Sequence, residues 1–158
     1  MYAIFNGGKA AGCSRTHKHM QLFYKPDFPL FPDRTAELKE KDVPFRYFFR
    51  RLDGLTDAGP MRLVAIYKEL LHGCASALEA VRAESREAGS ETSIPHNVVM
   101  TTDWMILIPR RKAKIGRAAV NAAGMMGLVW VEDDDQLKEW KERGPAAVLS
   151  EVGVPRSN

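Results

Sequence analysis

Apolar and polar positions along this chain change period several times, and each change marks an element. Residues 2–6 (YAIFN) are dominated by β-formers and predict a short buried strand. Residues 7–15 follow as a loop in which Gly7, Gly8 and Gly12 supply backbone freedom. Residues 16–24 predict a second strand, pairing with the first as a hairpin with a long connection. Pro26, Pro29, Pro32 and Pro44 break up a charged connecting segment, and residues 45–52 (FRYFFRRL) predict a third strand. A turn is expected over residues 54–59. From Pro60 to Glu87 the period becomes helical: Leu63, Ile66, Tyr67, Leu70, Leu71, Cys74, Leu78 and Val81 recur at steps of three and four. Pro60 suits the first turn, Gly73 weakens the middle, and Gly89 stands where a C-cap glycine belongs.

Residues 96–101 and 104–109 read as two strands around a tight turn at Thr102 and Asp103, and residues 124–132 (GMMGLVWVE) as another strand. Residues 133–143 predict a helix with acids in its first turn, and residues 145–151 a short closing helix stopped by Gly153 and Pro155. There is no internal repeat and no βαβ regularity. The pattern predicts an α+β fold with a mainly antiparallel sheet.

Composition narrows the class without naming it. A chain of 158 residues, 45% hydrophobic and 27% charged, is large enough for one folded domain with a core. Its formal charge of +3 suits an anionic small molecule and does not by itself argue for nucleic acid. Cys13 and Cys74 form neither a disulfide framework nor a zinc knuckle, so a reducing, cytoplasmic setting is expected. No apolar run is long enough to span a membrane, and MYAIF is too short for a signal h-region and has no basic n-region. An apolar strand directly behind Met1, with no polar lead-in, is expected of the C-terminal part of a longer protein.

The chemistry concentrates in residues 5–24, FNGGKAAGCSRTHKHMQLFY, which hold two of the four histidines. On a strand, His17, His19 and Gln21 would share one face and Lys18, Met20 and Leu22 the other. Three readings compete: a polar exposed sheet face, a metal site on His17 and His19, and a histidine nucleophile toward phosphorus. The loop favours the third. A phosphoryl site needs donors for its non-bridging oxygens, and a glycine-rich loop lets backbone N–H groups approach them. Gly12, Cys13 and Ser14 are the expected donors, with the Ser14 hydroxyl beside them and Lys9 or Arg15 neutralising further charge. A metal would need more ligands, and His72 and His96 lie far away in sequence.

These residues resemble the signature of the ATP adenylyltransferases, also called diadenosine tetraphosphate phosphorylases, a His-x-His-x-Gln branch of the histidine-triad superfamily. Gly7 stands where Ser is usual and Arg15 where Gln is usual. Residues 97–112 (NVVMTTDWMILIPRRK), with His96 where Tyr is common, are similar to a second family block. Residues 120–140 and the ending GPAAVLSEVGVP are similar to two more. The resemblance implies a HIT-like sheet with flanking helices, incomplete here because the family's proteins are about twice this long.

It further implies reversible phosphorolysis of diadenosine tetraphosphate to ATP and ADP through a nucleotidyl-histidine. His19 would be the nucleophile, His17 would orient it or hold its proton, and Gln21 would replace the third histidine. Asn6, Gly12, Cys13, Ser14, Arg15 and Gln21 would contact the nucleotide. Asn121, Ala122 and Ala123 fall on further contacts, with Leu128 near the site. Glu132 stands where the family usually has Lys. No structural metal and no tightly bound cofactor are implied, and Mg²⁺ can accompany the nucleotide. The open sheet edge leaves room for a homodimer. The rival reading is a non-catalytic nucleotide-binding remnant. A weaker one is nucleic-acid binding through RRKAKIGR, residues 110–117, which lacks interleaved aromatics.

Overall fold

The computed structural model describes residues 1–34, 42–52, 59–85 and 94–156. The expected turn over residues 54–59 lies outside the described residues except for Gly59, which begins the long helix, and the helix end at Glu87 and the Gly89 cap lie outside them too. Five strands form one antiparallel sheet: β1 (Tyr2–Gly7), β2 (Met20–Phe23), β3 (Phe48–Arg51), β4 (His96–Met100) and β5 (Trp104–Pro109), in the order β2-β1-β4-β5-β3. The 27-residue helix α1 (Gly59–Ser85) packs on β5 and β3. A small hairpin of β6 (Lys114–Ile115) and β7 (Ala118–Ala119) follows, then α2 (Ala122–Met125), α3 (Asp134–Arg143) and α4 (Pro145–Val152).

Strand alternation divides the core in two. Tyr2, Ile4, Val99, Trp104, Ile106 and Ile108 point to one face, where Val120, Met125, Trp140, Val148 and Val152 cover them. Val98, Met105 and Leu107 point to the other, against Leu70 and Cys74 of α1. Every residue of β5 is buried, as expected of a strand covered on both faces. The helical stripe read from sequence is the buried one. Gly73 has a packing reason: a Cβ there would lie 2.5 Å from the Phe48 ring, so glycine lets β3 approach the helix.

Three expectations need correction. The predicted strand over residues 124–132 does not form. Asn121 caps α2 instead, its side chain accepting from the Gly124 N–H, and the turn closes at Gly127, whose φ is +89°. Val129, Trp130 and Val131 then run exposed without a strand partner, because β-propensity needs a neighbour to pair with. The predicted strand over residues 16–24 shrinks to Met20–Phe23. β1 offers it only Tyr2 to Phe5 as partners, and the loop diverts the chain before Asn6 and Gly7 can pair on that side. The third strand is confined to Phe48–Arg51, while Phe45 bridges to Pro155. The β6–β7 hairpin, turning at Gly116 with φ +53°, is an addition.

Candidate functional site

The site is assembled where β1 ends. Gly8 leaves the strand with φ +99°, and Lys9–Ala11 wind one 3₁₀ turn. Gly12 closes it in the left-handed region with φ +82°. A Cβ on Gly12 would lie 2.8 Å from the Val120 carbonyl oxygen, so the residue is glycine for space as well as for backbone angle. The loop is tied inward by its own amides: Ala11 N–H and Cys13 N–H donate to Gly8 O, and Gly12 N–H donates to Lys9 O. This corrects the expectation that the Gly12 and Cys13 amides face a phosphate. Of the three expected donors, only the Ser14 N–H has no partner among the described residues.

Behind the loop lies a buried polar chain. Asn97, fully buried on β4, donates from Nδ2 to the Ala11 carbonyl (2.8 Å) and to Asn6 Oδ1 (2.8 Å). Asn6 Oδ1 also accepts from the Ala122 N–H (2.9 Å) at the start of α2. The Arg110 guanidinium, buried at the end of β5, donates to Asn97 Oδ1 and to the Val120 carbonyl. Burial pulls its pKa down to about 9, still high enough to leave it charged at neutral pH.

In front of the loop, Asn6, Gly12, Cys13, Ser14, Arg15, His19 and Gln21 line one small polar pocket of about 110 Å³. That is room for a phosphoryl group and well short of the space a whole nucleotide occupies. His19 also lines the end of a larger apolar groove of about 410 Å³ with Phe5, Met20, Leu63, Tyr67 and Met100. His17 and His19 stand edge to face with ring centroids 5.9 Å apart.

Both histidines precede β2, so strand alternation does not place them. Gln21 is on the strand, on the same sheet face as Asn6, and His19 reaches the pocket from the loop. His17 is exposed and does not line it. Asn121 lies behind Gly12. Ala122 and Ala123 are fully buried, Ala122 touching the site through its N–H to Asn6, and Leu128 packs against the core. Glu132 is exposed; its N–H donates to Gln136, and the neighbouring Asp133 caps α3.

Sequence reasoning missed Asn97 and Arg110, which occur in an apolar strand and a basic run. A polar residue amid β4's valines and a cation following β5's apolar run were the available signals. Within residues 110–117, Arg110 is interior, Lys112 pairs with Glu151 at 2.8 Å and Arg117 pairs with Asp133, which weakens the nucleic-acid reading. The other described histidines are apart from the pocket. His72 is exposed on α1. His96 is buried, with Nδ1 donating to Ile94 O (2.7 Å) and Nε2 accepting from Tyr67 OH (2.9 Å). Burial holds its pKa below the usual imidazole range, against the opposing pull of the Ile94 bond. Among the described residues, no group of three or more His, Cys, Asp or Glu side chains is placed to hold a metal ion. Among the same residues no helix is long and apolar enough to cross a membrane.

A family model described as the ATP adenylyltransferase C-terminal domain matches residues 41–155. The chain belongs to this family. Among curated proteins, the ATP adenylyltransferase-like chain is 25% identical to Protein APA1 of Saccharomyces cerevisiae, over 98% of its own length and 53% of the relative's. It is 27% identical to the diadenosine 5',5'''-P1,P4-tetraphosphate phosphorylase 2 of the same yeast, over 89% and 48%. It thus spans about half the length of the curated relatives it matches. Among solved structures, yeast Ap4A phosphorylase Apa2 in complex with AMP superposes with a TM-score of 0.76 at 26% identity, over 99% of this chain and 57% of that one. The Ap4A complex of Apa2 gives 0.75 at 24% identity and confirms the fold. The HIT-like α+β fold is therefore shown, with its antiparallel sheet and flanking helices.

Proposed function

We propose that this chain is a nucleotidyltransferase domain acting on diadenosine tetraphosphate, with His19 as nucleophile. The observation that carries the reading is the phosphate-sized polar pocket, in which His19 and Gln21 meet Asn6 and residues 12–15. The Ap4A phosphorylases among its relatives supply the substrate class. A neutral ring nitrogen of His19 attacks the phosphorus nearest one adenosine. The P–O bond to the remaining polyphosphate breaks, ATP leaves, and the nucleotidyl group stays on the imidazole. Phosphate oxygen then attacks that phosphorus, the P–N bond breaks, and ADP is released.

Ser14, Arg15, Asn6 and Gln21 stabilise charge on the non-bridging oxygens. His17, beside His19, orients the ring or shares its proton. A divalent cation such as Mg²⁺ accompanies the nucleotide and balances its charge.

One further reading has an observation in its favour. The chain spans about half of its relatives, so as a unit by itself it is a nucleotide-binding domain with little or no turnover. The test compares wild type with His19→Ala on labelled diadenosine tetraphosphate, by equilibrium binding and by product formation. An active chain loses turnover by about 10⁴-fold or more in the variant and keeps most of its nucleotide affinity. Equal slow turnover in both would reduce the reading to nucleotide binding. Absence of nucleotide binding in both would remove that as well.

A further inference from the structure

Arg110 is an expensive residue for its position. It is fully buried, and its four acceptors among the described residues are all uncharged: Val152 O on Nε (3.2 Å), Asn97 Oδ1 on Nη1 (2.5 Å), and Lys112 O (2.7 Å) and Val120 O (2.9 Å) on Nη2. A buried charge without a carboxylate partner is disfavoured against an apolar side chain of similar volume. Packing alone therefore does not explain it.

Its hydrogen bonds reach the pocket by two routes. On the first, the guanidinium occupies Asn97 Oδ1, which turns Asn97 Nδ2 toward Asn6 Oδ1 and the Ala11 carbonyl. Asn6 Oδ1 then meets two donors, Asn97 Nδ2 and the Ala122 N–H. A flipped Asn6 amide would set its NH₂ against both. Asn6 is thus fixed with its oxygen inward and its Nδ2 end left to the pocket it lines. On the second route, Nη2 holds the Val120 carbonyl against Gly12, which sets the closure of the loop.

We infer that Arg110 is a positioning residue that sets the polarity of the pocket: through Asn97 it fixes Asn6 with its donor end toward the ligand, so that the wall accepts a phosphoryl oxygen. This rests on the pocket being a phosphate site, as proposed above, and the two claims fail separately. The experiment uses the 158-residue chain as wild type, Arg110→Lys and Asn6→Asp. It records thermal melting, titrations with inorganic phosphate, AMP and adenosine, and the side-chain amide resonances of Asn6 and Asn97 in ¹⁵N-labelled protein.

Arg110→Lys keeps the charge and loses the fork. It is expected to stay folded, to lose about tenfold or more in phosphate and AMP affinity, and to change adenosine affinity less than twofold. Its Asn6 resonance pair should shift or split. Asn6→Asp keeps the inward acceptor and presents an anion outward, and should lose phosphate and AMP binding with melting retained. A folded Arg110→Lys that binds phosphate as wild type does, with the Asn6 pair unmoved, would overturn the inference. If wild type binds neither phosphate nor AMP, the proposed function fails, and the Asn6 pair alone decides: a change in Arg110→Lys supports the relay, no change overturns it. Should Arg110→Lys not fold, Asn97→Ala breaks the same relay and carries the same comparison.

Discussion

Gly12→Ala separates the site from the fold it sits on. Two costs are visible. The backbone at Gly12 is left-handed (φ +82°), which costs an alanine about 1–2 kcal/mol. The new Cβ would lie 2.8 Å from the Val120 carbonyl oxygen and 3.2 Å from Asn121 Cα, both backbone atoms. That carbonyl cannot retreat freely, because it accepts from the buried Arg110 Nη2 at 2.9 Å. Forcing an atom into such a packed position costs about 1–3 kcal/mol more. Keeping the loop as it is would therefore cost roughly 2–5 kcal/mol. The cheaper response is for residues 8–15 to rearrange, giving up the bond between Asn97 and the Ala11 carbonyl while the sheet stays folded. The expected result is a melting midpoint lower by roughly 4–10 °C and AMP affinity lower by tenfold or more, measured by calorimetry on one preparation. Gly127→Ala is the control. Its φ of +89° carries the backbone cost, but a Cβ there meets nothing within 4 Å and the residue does not line the pocket. Gly127→Ala should lose some stability and keep its ligand. If Gly12→Ala binds AMP as wild type does and melts within a degree of it, the argument from the Val120 contact is wrong.

Other outcomes follow from the packing and burial of single residues. Gly73→Ala gains about 1 kcal/mol of helix propensity but drives a Cβ to 2.5 Å from the Phe48 ring, an overpacking worth about 1–3 kcal/mol, so denaturant unfolding should show a net loss of stability and a gain would contradict the packing of α1 on β3. Alkylation of the native protein at pH 8 should modify Cys13 in the pocket and spare Cys74, whose thiol is pushed up to about 12 by burial; AMP should slow the Cys13 reaction, and labelling of both would refute the burial. His96 is held below its ordinary pKa by burial, so the unfolded chain takes up a proton that the folded one refuses; stability should be complete above pH 6.5 and fall as pH drops from there toward the folded value, by at most about 1.4 kcal/mol per unit, and His96→Gln should flatten that slope in pH-dependent melting.

Different parts of the fold were legible in the sequence for different reasons. α1 was readable because its buried face repeats at helical spacing over many turns, so a single misplaced residue cannot disguise it. β4 and β5 were readable as apolar runs around a tight turn. Residues 124–132 misled because Leu128, Val129, Trp130 and Val131 carry the side chains of a strand, while strand formation depends on a partner elsewhere in the chain. The decisive local signal was Asn121 as a helix cap, which competes with an extended backbone and wins through its bond to the Gly124 N–H. The pocket was legible at its rim, where Asn6, Gly12 and residues 13–21 lie close in sequence. Its support was not. Asn97 and Arg110 stand in one sequence block, 13 positions apart, but Asn97 meets Asn6 only across 91 positions, so no local window joins the pair to the loop it supports.

That division bears on what the chain can do alone. Catalysis requires donors already fixed where charge develops, since an exposed donor must be reoriented and competes with water. Asn6 meets this condition, with its acceptor end held by two donors. Ser14, Arg15, His17, His19 and Gln21 do not, because all five are exposed. Around an open pocket the effective dielectric stays high, and a charged contact at 4 Å is worth about 1 kcal/mol in bulk water against about 4 kcal/mol at a partly desolvated surface. Binding a phosphate tolerates that loss, because several weak contacts add. Transition-state stabilisation does not, because it depends on the difference between two charge distributions at one phosphorus. Covering the rim, by whatever surface lies over His19 in an active assembly, should therefore raise turnover more than it raises nucleotide affinity. A partner that raised affinity and left turnover unchanged would argue that His19 is a ligand contact rather than the nucleophile.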